Sequence, residues 1–243
     1  MIQKSPLAGF KVPGLPSPIK VTLFADDTTA YVAEGDDYAV LQNILDVWCS
    51  AAKAKFNITK TEIIPIGEKS YREVMARTYK STGQWKNFPQ NVRVAGEGDA
   101  IRILGGFFGN SIDHLAVWSP RVAKVKAALD RWRLGHATLD GKRHVIQMVV
   151  AGMTQYLSDV QRMPGSVVKR LEKILRDYLW DGKVIPPIAK EHTFLPMDQG
   201  GLSIIDLEAR NEAIDVMWLK SYLDFSPDRP KWAYVADNIL ATN

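Results

Sequence analysis

The sequence predicts an α+β fold: a small, largely antiparallel sheet with packed helices, followed by an α-helical bundle. Three observations lead there. Two β-branched and aromatic runs, residues 19–25 and 28–32, are separated only by Asp26-Asp27, the length of a tight hairpin. A helical pattern and a short β-like segment follow, so the order is strand, turn, strand, helix, strand. From about residue 115 the apolar positions recur every three and four residues, and the period stays helical to the end. The expected organisation is therefore a lead-in over 1–18, a sheet-and-helix region over 19–112 and a helical region over 115–243.

Residues 1–18 carry Pro13, Pro16 and Pro18 with Gly9 and Gly14, and read as an extended segment without regular structure. The hairpin comes next. Its tip is locally costly, because neighbouring carboxylates repel and no glycine relieves the turn. An expensive choice at the end of an apolar hairpin points to a task. The fitting one is to hold a hard divalent cation through oxygen ligands. The bland alternative is a solvated polar turn, the usual role of an Asp pair. A lone hairpin is marginal and needs a third strand or a helix to pack on.

Asp36 or Asp37 offers an N-cap. Tyr38, Leu41, Ile44, Leu45, Trp48 and Ala52 then mark an amphipathic helix over about 37–53, with Cys49 read as a small core residue. Residues 61–67 form a short β-like segment ended by Pro65 and Gly67. A short helix near 70–79, a loop holding Gly83 and Pro89, and a short strand near 92–94 follow. Residues 101–110 read as a strand with a glycine break.

In the second half, Val117, Val122, Val125, Leu129 and Trp132 share a helix face up to about 134. Residues 138–141 read as a turn, and a helix over about 142–157 carries Val145, Met148, Val149, Met153 and Tyr156. A third helix opens after Pro164, well placed in a first turn, with Val167, Leu171, Ile174, Leu175, Tyr178 and Leu179. After Pro186-Pro187 and Gly200-Gly201, a helix over about 206–222 and a last one from about Trp232 complete the chain.

Composition narrows the classes. With 243 residues the chain is long enough for one large or two small domains. A net charge of +4 is compatible with a nucleic-acid partner without requiring one. A single cysteine excludes internal disulfides and suits a reducing compartment. No apolar run approaches the ~18 residues of a membrane span, and the first residues lack the apolar core of a signal peptide. The expectation is an intracellular protein, nuclear or cytoplasmic, with no membrane partner. His114, His136, His144 and His192 show no ligand spacing around a cysteine, so no zinc site is expected. Gly105-Gly106-Phe107-Phe108-Gly109 lacks the Lys-Ser/Thr of a phosphate loop.

Charge is unevenly distributed. Residues 121–191 hold 14 Lys and Arg against 7 Asp and Glu, while the rest of the chain holds 17 against 20. The helical region is thus locally cationic. Lys124, Lys126, Arg131, Arg133, Lys142, Arg143, Lys169, Arg170, Lys173 and Arg176 are candidates for backbone-phosphate contacts; the bland alternative is a solvated helix face.

Several blocks together resemble one family. Phe24-Ala25-Asp26-Asp27 is similar to the aromatic-Ala-Asp-Asp catalytic turn of reverse transcriptases. Residues 54–62, with Asn57-x-x-Lys60-Thr61, resemble the block that follows it. Leu104-Gly105-Gly106 resembles the primer-grip block. Leu139-Asp140-Gly141-Lys142-Arg143, Trp180, Gly200-Gly201-Leu202 and residues 209–220 resemble thumb and connecting segments. In order and spacing the set, across most of 19–225, resembles the carboxy-terminal polymerase part of non-LTR (LINE-type) retrotransposon reverse transcriptases of the fungal kind.

The resemblance implies a partial polymerase palm followed by a thumb-like helical bundle, acting in RNA-directed DNA synthesis. It implies that Asp26 is a direct Mg²⁺ ligand, with Asp27 contributing more weakly and Mn²⁺ as a possible substitute. Lys60 would stand near an incoming triphosphate, or be a solvated surface lysine. Gly105 and Gly106 would admit the primer backbone, or form a structural bulge. Lys124, Arg131, Lys142, Arg143, Lys169, Arg170 and Lys173 would grip an RNA template–DNA primer duplex. The family also needs a further Asp on a strand upstream of the turn, yet none of the 25 residues before Asp26 is acidic. The expectation is that this chain has no polymerase activity alone and binds metal weakly. It would be a truncated or degenerate element copy, or a fragment needing a missing N-terminal half. The alternatives are a non-catalytic nucleic-acid-binding helical module and a functionless relic.

Overall fold

The computed structural model describes residues 1–78 and 92–242. The chain is 54% helical and 9% strand, an α+β composition dominated by helix. It divides into two compact units. The first comprises residues 1–104, 108–112 and 221–243; the second comprises 105–107 and 113–220. The last helix thus groups with the first unit, where the sequence pattern had kept it with the helical region. Part of the expected loop, with Gly83 and Pro89, and the end of the expected helix at 79 lie outside the described residues.

The first unit begins with more order than its prolines suggest. Ile2–Lys4 is a 3-10 turn, Phe10 bridges Ile19, and Leu7 and Val12 are buried. The Asp36 carboxylate ties this segment down, accepting from the amides of Ala8 and Ala33, both at 2.8 Å. Asp37 is the residue that caps α1 (Tyr38–Ala52), accepting from the Ala39 amide at 2.9 Å. Only Leu41 of the α1 apolar face is buried; Cys49 is half-buried and Trp48 rests against Phe56.

The expected single sheet is instead three two-stranded pieces among the described residues. β1 (Val21–Phe24) pairs antiparallel with β2 (Asp27–Ala30). β3 (Glu62–Ile63) and β4 (Arg93–Val94) pair in parallel, and α2 (Lys69–Thr78) packs Met75 with Val92 beside them. Residues 101–110 form not one broken strand but β5 (Ile101–Ile103) and β6 (Gly106–Phe108), reversing at Leu104 and Gly105, both at positive φ.

The second unit is held by one apolar core. It contains α3 (His114–Arg133), α4 (Leu139–Ile146), a π-helical turn at Gln147–Ala151, α5 (Gly152–Gln161), α6 (Gly165–Leu179), the short α7 (Lys190–Phe194) and most of α8 (Leu207–Tyr222). Trp118, Val122, Val125 and Leu129 of α3 meet Leu171, Leu175 and Tyr178 of α6 in that core. The Trp118 indole donates to the Arg162 carbonyl just ahead of α6 at 3.0 Å, and Arg133 donates to the Asp177 carbonyl near its end at 3.1 Å. The two helices therefore run parallel.

Residues 138–141 are no turn: Thr138 caps α4 by accepting from the Gly141 amide at 3.2 Å. Gly201 answers to a close approach, since a Cβ there would lie 2.0 Å from the Leu195 carbonyl oxygen. The final helix, α9 (Lys231–Ala241), belongs to the first unit. There Arg229 makes a forked ion pair with Asp237 and lies over the rings of Tyr222, Phe225 and Tyr234. No helix among the described residues is long and apolar enough to cross a membrane.

Candidate metal-binding turn and nucleic-acid face

The hairpin turns one residue earlier than its sequence suggests. Phe24 pairs with Asp27, so the two-residue loop is Ala25-Asp26, and Asp27 already belongs to β2. The reason lies in the backbone. Ala25 takes φ 52°, whereas Asp26 does not share the positive φ. Positive φ at the first loop residue alone is the pattern of a II′ turn, a position that normally selects glycine. An alanine there is strained, and such strain clusters at functional sites. The shift moves the pairing by two residues, so Phe24 stands opposite Asp27 rather than Thr29 while each side chain keeps its face. Asp26 and Asp27 are both exposed, and the apolar side chains beneath them are uncovered, Leu23 at 67% and Phe24 at 66% exposure.

Asp26 and Asp27 are the donor type that a hard divalent cation takes. Mg²⁺ is commonly held by one or two carboxylates, with substrate phosphates and waters completing its octahedron. Among the described residues no group of three or more His, Cys, Asp or Glu is arranged to hold a metal.

Lys60 ends the 3-10 turn Ile58–Lys60; it is exposed and makes no side-chain ion pair among the described residues. Its block has a visible organiser. The Asn57 side-chain oxygen accepts from the Thr59 amide at 3.1 Å and the Thr59 hydroxyl at 2.7 Å, and the Asn57 carbonyl accepts from the Lys60 amide at 3.1 Å. Asn57 thus fixes the turn that presents Lys60.

Gly105 and Gly106 sit in packed surroundings. A Cβ on Gly105 would lie 2.9 Å from the Tyr156 ring, which covers that side, and Gly106 is buried. Both serve the reversal between β5 and β6. The amide and carbonyl of Phe107 are in turn claimed by the side-chain amide of Gln161, at 2.8 and 2.7 Å.

The cationic candidates sort by what they touch. On α6, Val167, Val168, Leu171, Leu175, Tyr178 and Leu179 face the core, leaving Lys169, Arg170, Lys173 and Arg176 on the exposed side. Lys169, Arg170 and Lys173 have no ion pair among the described residues; Arg176 pairs with Asp177 at 3.3 Å. Lys124 and Arg131 of α3 are likewise exposed and unpaired among the described residues, whereas Lys126 is bound to Asp130. Arg133 is spent on the Asp177 carbonyl.

Lys142 must be removed from the set. It is only 8% exposed, and its ammonium donates to Asp181 at 2.6 Å and to the Leu179 carbonyl at 3.2 Å, closing the end of α6. That bond holds the Asp181 carboxyl below its ordinary pKa. Arg143 is also engaged, at 2.9 Å from Asp140. A charge run read from sequence defaults to solvent, and only the fold reveals that Lys142 turns inward.

Sequence reasoning missed Arg210. Its guanidinium reaches the buried hydroxyls of Thr154 and Ser158 at 2.8 and 2.9 Å, its Nε has no hydrogen-bond partner, and burial pushes its pKa down. No protein-family model matches the chain, and no curated protein matches it.

Proposed function

We propose that this chain is the catalytic-turn and thumb portion of a non-LTR retrotransposon reverse transcriptase, an RNA-directed DNA polymerase acting on an RNA template–DNA primer duplex. The observation that carries the reading is the hairpin tip: a strained Ala25 followed by two adjacent, solvent-facing carboxylates on uncovered apolar strands. Positive φ comes with any two-residue hairpin loop; what the tip adds is two neighbouring carboxylates as oxygen donors for a hard cation.

In this reading Asp26 and Asp27 hold one Mg²⁺, or Mn²⁺ in its place. When bound, the ion supplies charge neutralisation at the phosphates of an incoming nucleotide. The residues of the chain do the rest. Asn57 fixes the turn that carries Lys60, a cation able to offset phosphate charge. Lys169, Arg170 and Lys173 form the backbone-gripping stripe, with Lys124 and Arg131 on α3. A second acidic site for a second ion would come from a further polypeptide segment, such as the N-terminal half of the polymerase. The chain alone is therefore expected to be inactive in primer extension.

A second reading has its own support. The α6 stripe belongs to a unit with a complete apolar core of its own. A non-catalytic nucleic-acid-binding module needs nothing more.

The test is binding of a labelled RNA–DNA duplex across a salt series. The expected affinity is independent of sequence and falls steeply with salt, and the triple change K169Q/R170Q/K173Q lowers the salt slope by about one unit per lost contact. Binding that ignores salt, or is unmoved by the triple change, refutes the grip. Template-dependent primer extension by the chain alone, abolished by Asp26→Ala, refutes the incomplete site.

A further inference from the structure

We infer that the end of α3 is a stacking site for an unpaired base of single-stranded nucleic acid, with Trp132 as the platform and Arg131 beside it for that nucleotide's phosphate. The inference rests on the reading that the helical unit binds nucleic acid, and goes beyond it in naming a different ligand form and a different residue.

A cleft of about 190 Å³ is lined by Arg131, Trp132 and Gly135. The two tryptophans of α3 make the case by contrast. Trp118 is fully buried and its indole nitrogen is bonded, so it is core. Trp132 is 47% exposed at the other end of the same helix. A large flat ring left half in water is the residue type that surfaces use to meet a partner.

Its surroundings select the partner. Cations in a last helical turn are expected from the helix dipole alone, which accounts for Arg131 and Arg133. The dipole does not account for the open indole between them. Arg133 is tied to the Asp177 carbonyl at 3.1 Å, which anchors this end of the helix and leaves Arg131 as the arginine whose guanidinium makes no hydrogen bond or ion pair among the described residues. Gly135 adds no side chain to obstruct the opening.

An aromatic face and an unpaired guanidinium together complement a ligand that is flat and anionic, which is a nucleotide. The cleft is shallow and open, with one flat ring beside one cation, a face that matches a single base and its phosphate. A base inside a duplex has both faces stacked, so the occupant is unpaired. Every base offers a π face, so the site is indifferent to sequence.

The experiment uses the full chain and fluorescence anisotropy with two probes, a labelled oligothymidylate and a labelled RNA–DNA duplex. The proteins are wild type, Trp132→Phe, Trp132→Leu and K169Q/R170Q/K173Q. Leucine keeps apolar cover at the position and phenylalanine keeps a ring, so both variants should fold. Stacking of one base predicts that Trp132→Leu weakens the single strand about tenfold, with Trp132→Phe much closer to wild type. Duplex affinity should change less than about twofold for either variant, because neither alters charge. Single-strand affinity equal in wild type, Trp132→Phe and Trp132→Leu overturns the stacking site while leaving duplex binding, and hence the proposed function, intact. An equal loss on both probes also overturns it, since a stacking site discriminates between them. Loss of duplex binding in the triple variant with a preserved Trp132 effect separates the two surfaces. If wild type binds neither probe, the nucleic-acid reading fails and this inference fails with it.

Discussion

The β1–β2 hairpin and the helical unit differ in how each is held. In the helical unit nineteen buried residues, among those described, form a single cluster that includes Trp118, Leu129, Ile146, Val150 and Leu171. The hairpin has no such support: Leu23 and Phe24 stand in solvent, and its tip holds a strained alanine and two acids. One region spends its apolar residues on stability and the other exposes them around a charged turn. The lesson is that the carboxylates do not sit on a rigid core. Their geometry is set by the turn itself.

The contrast makes its largest prediction in the core. Trp118→Ala should cost about 3–5 kcal/mol, the usual penalty for removing a large buried aromatic, measured by urea unfolding. Leu23→Ala should cost under about 0.5 kcal/mol, as surface changes do. Comparable losses at the two positions would mean that the hairpin is covered after all.

Arg210→Met comes next. It removes the donors that hold the Thr154 and Ser158 hydroxyls. Because Thr154 also donates to the Val150 carbonyl, the change reaches the π-helical turn. A loss of about 1–3 kcal/mol in the same unfolding assay is expected. No loss would mean that the unpartnered Nε and the burial of the charge already offset what its bonds contribute.

The Lys142–Asp181 pair gives a pH test. Asp181 has a depressed pKa in the fold because Lys142 donates to it. The stability it adds is thus fully present above its unfolded pKa of about 3.9 and is lost as pH falls through the lower folded value. Wild type should exceed Asp181→Asn in stability near neutrality by about 1 kcal/mol, a surface-accessible ion pair's worth. The gap should close in acid. A gap that stays constant with pH would remove the ion pair from the account.

The smallest effect is expected at the tip. Ala25→Gly relieves a left-handed alanine and should stabilise the hairpin by up to about 1 kcal/mol, read by amide exchange of Leu23 and Thr28. Destabilisation would mean that the positive φ at residue 25 carries no strain.

The same contrast explains what could be read in advance. Helices with an apolar face and a cap were legible: Asp37 and Pro164 mark where α1 and α6 begin. The hairpin was legible in kind, but its turn lies one residue earlier and its pairing two residues away from the reading, because nothing in an Ala-Asp-Asp string tells which residue takes positive φ. Thr138 escaped as a cap because Gly141 beside it looks like a turn. Lys142 was misplaced because the residues that pull it inward, Leu179 and Asp181, lie far along the chain. The parallel pairing of Glu62 with Arg93 and the grouping of residues 221–243 with the first unit are long-range facts that no local pattern encodes. At the candidate site the acids were legible and the strain that presents them was not.

The most direct measurement is a Mn²⁺ titration followed by electron paramagnetic resonance, comparing the full chain with its D26N/D27N variant. The account predicts one weak, saturable site in the wild type that the double variant loses, with tighter binding when a nucleoside triphosphate is added to supply phosphate ligands. Identical titrations for the two proteins would contradict it.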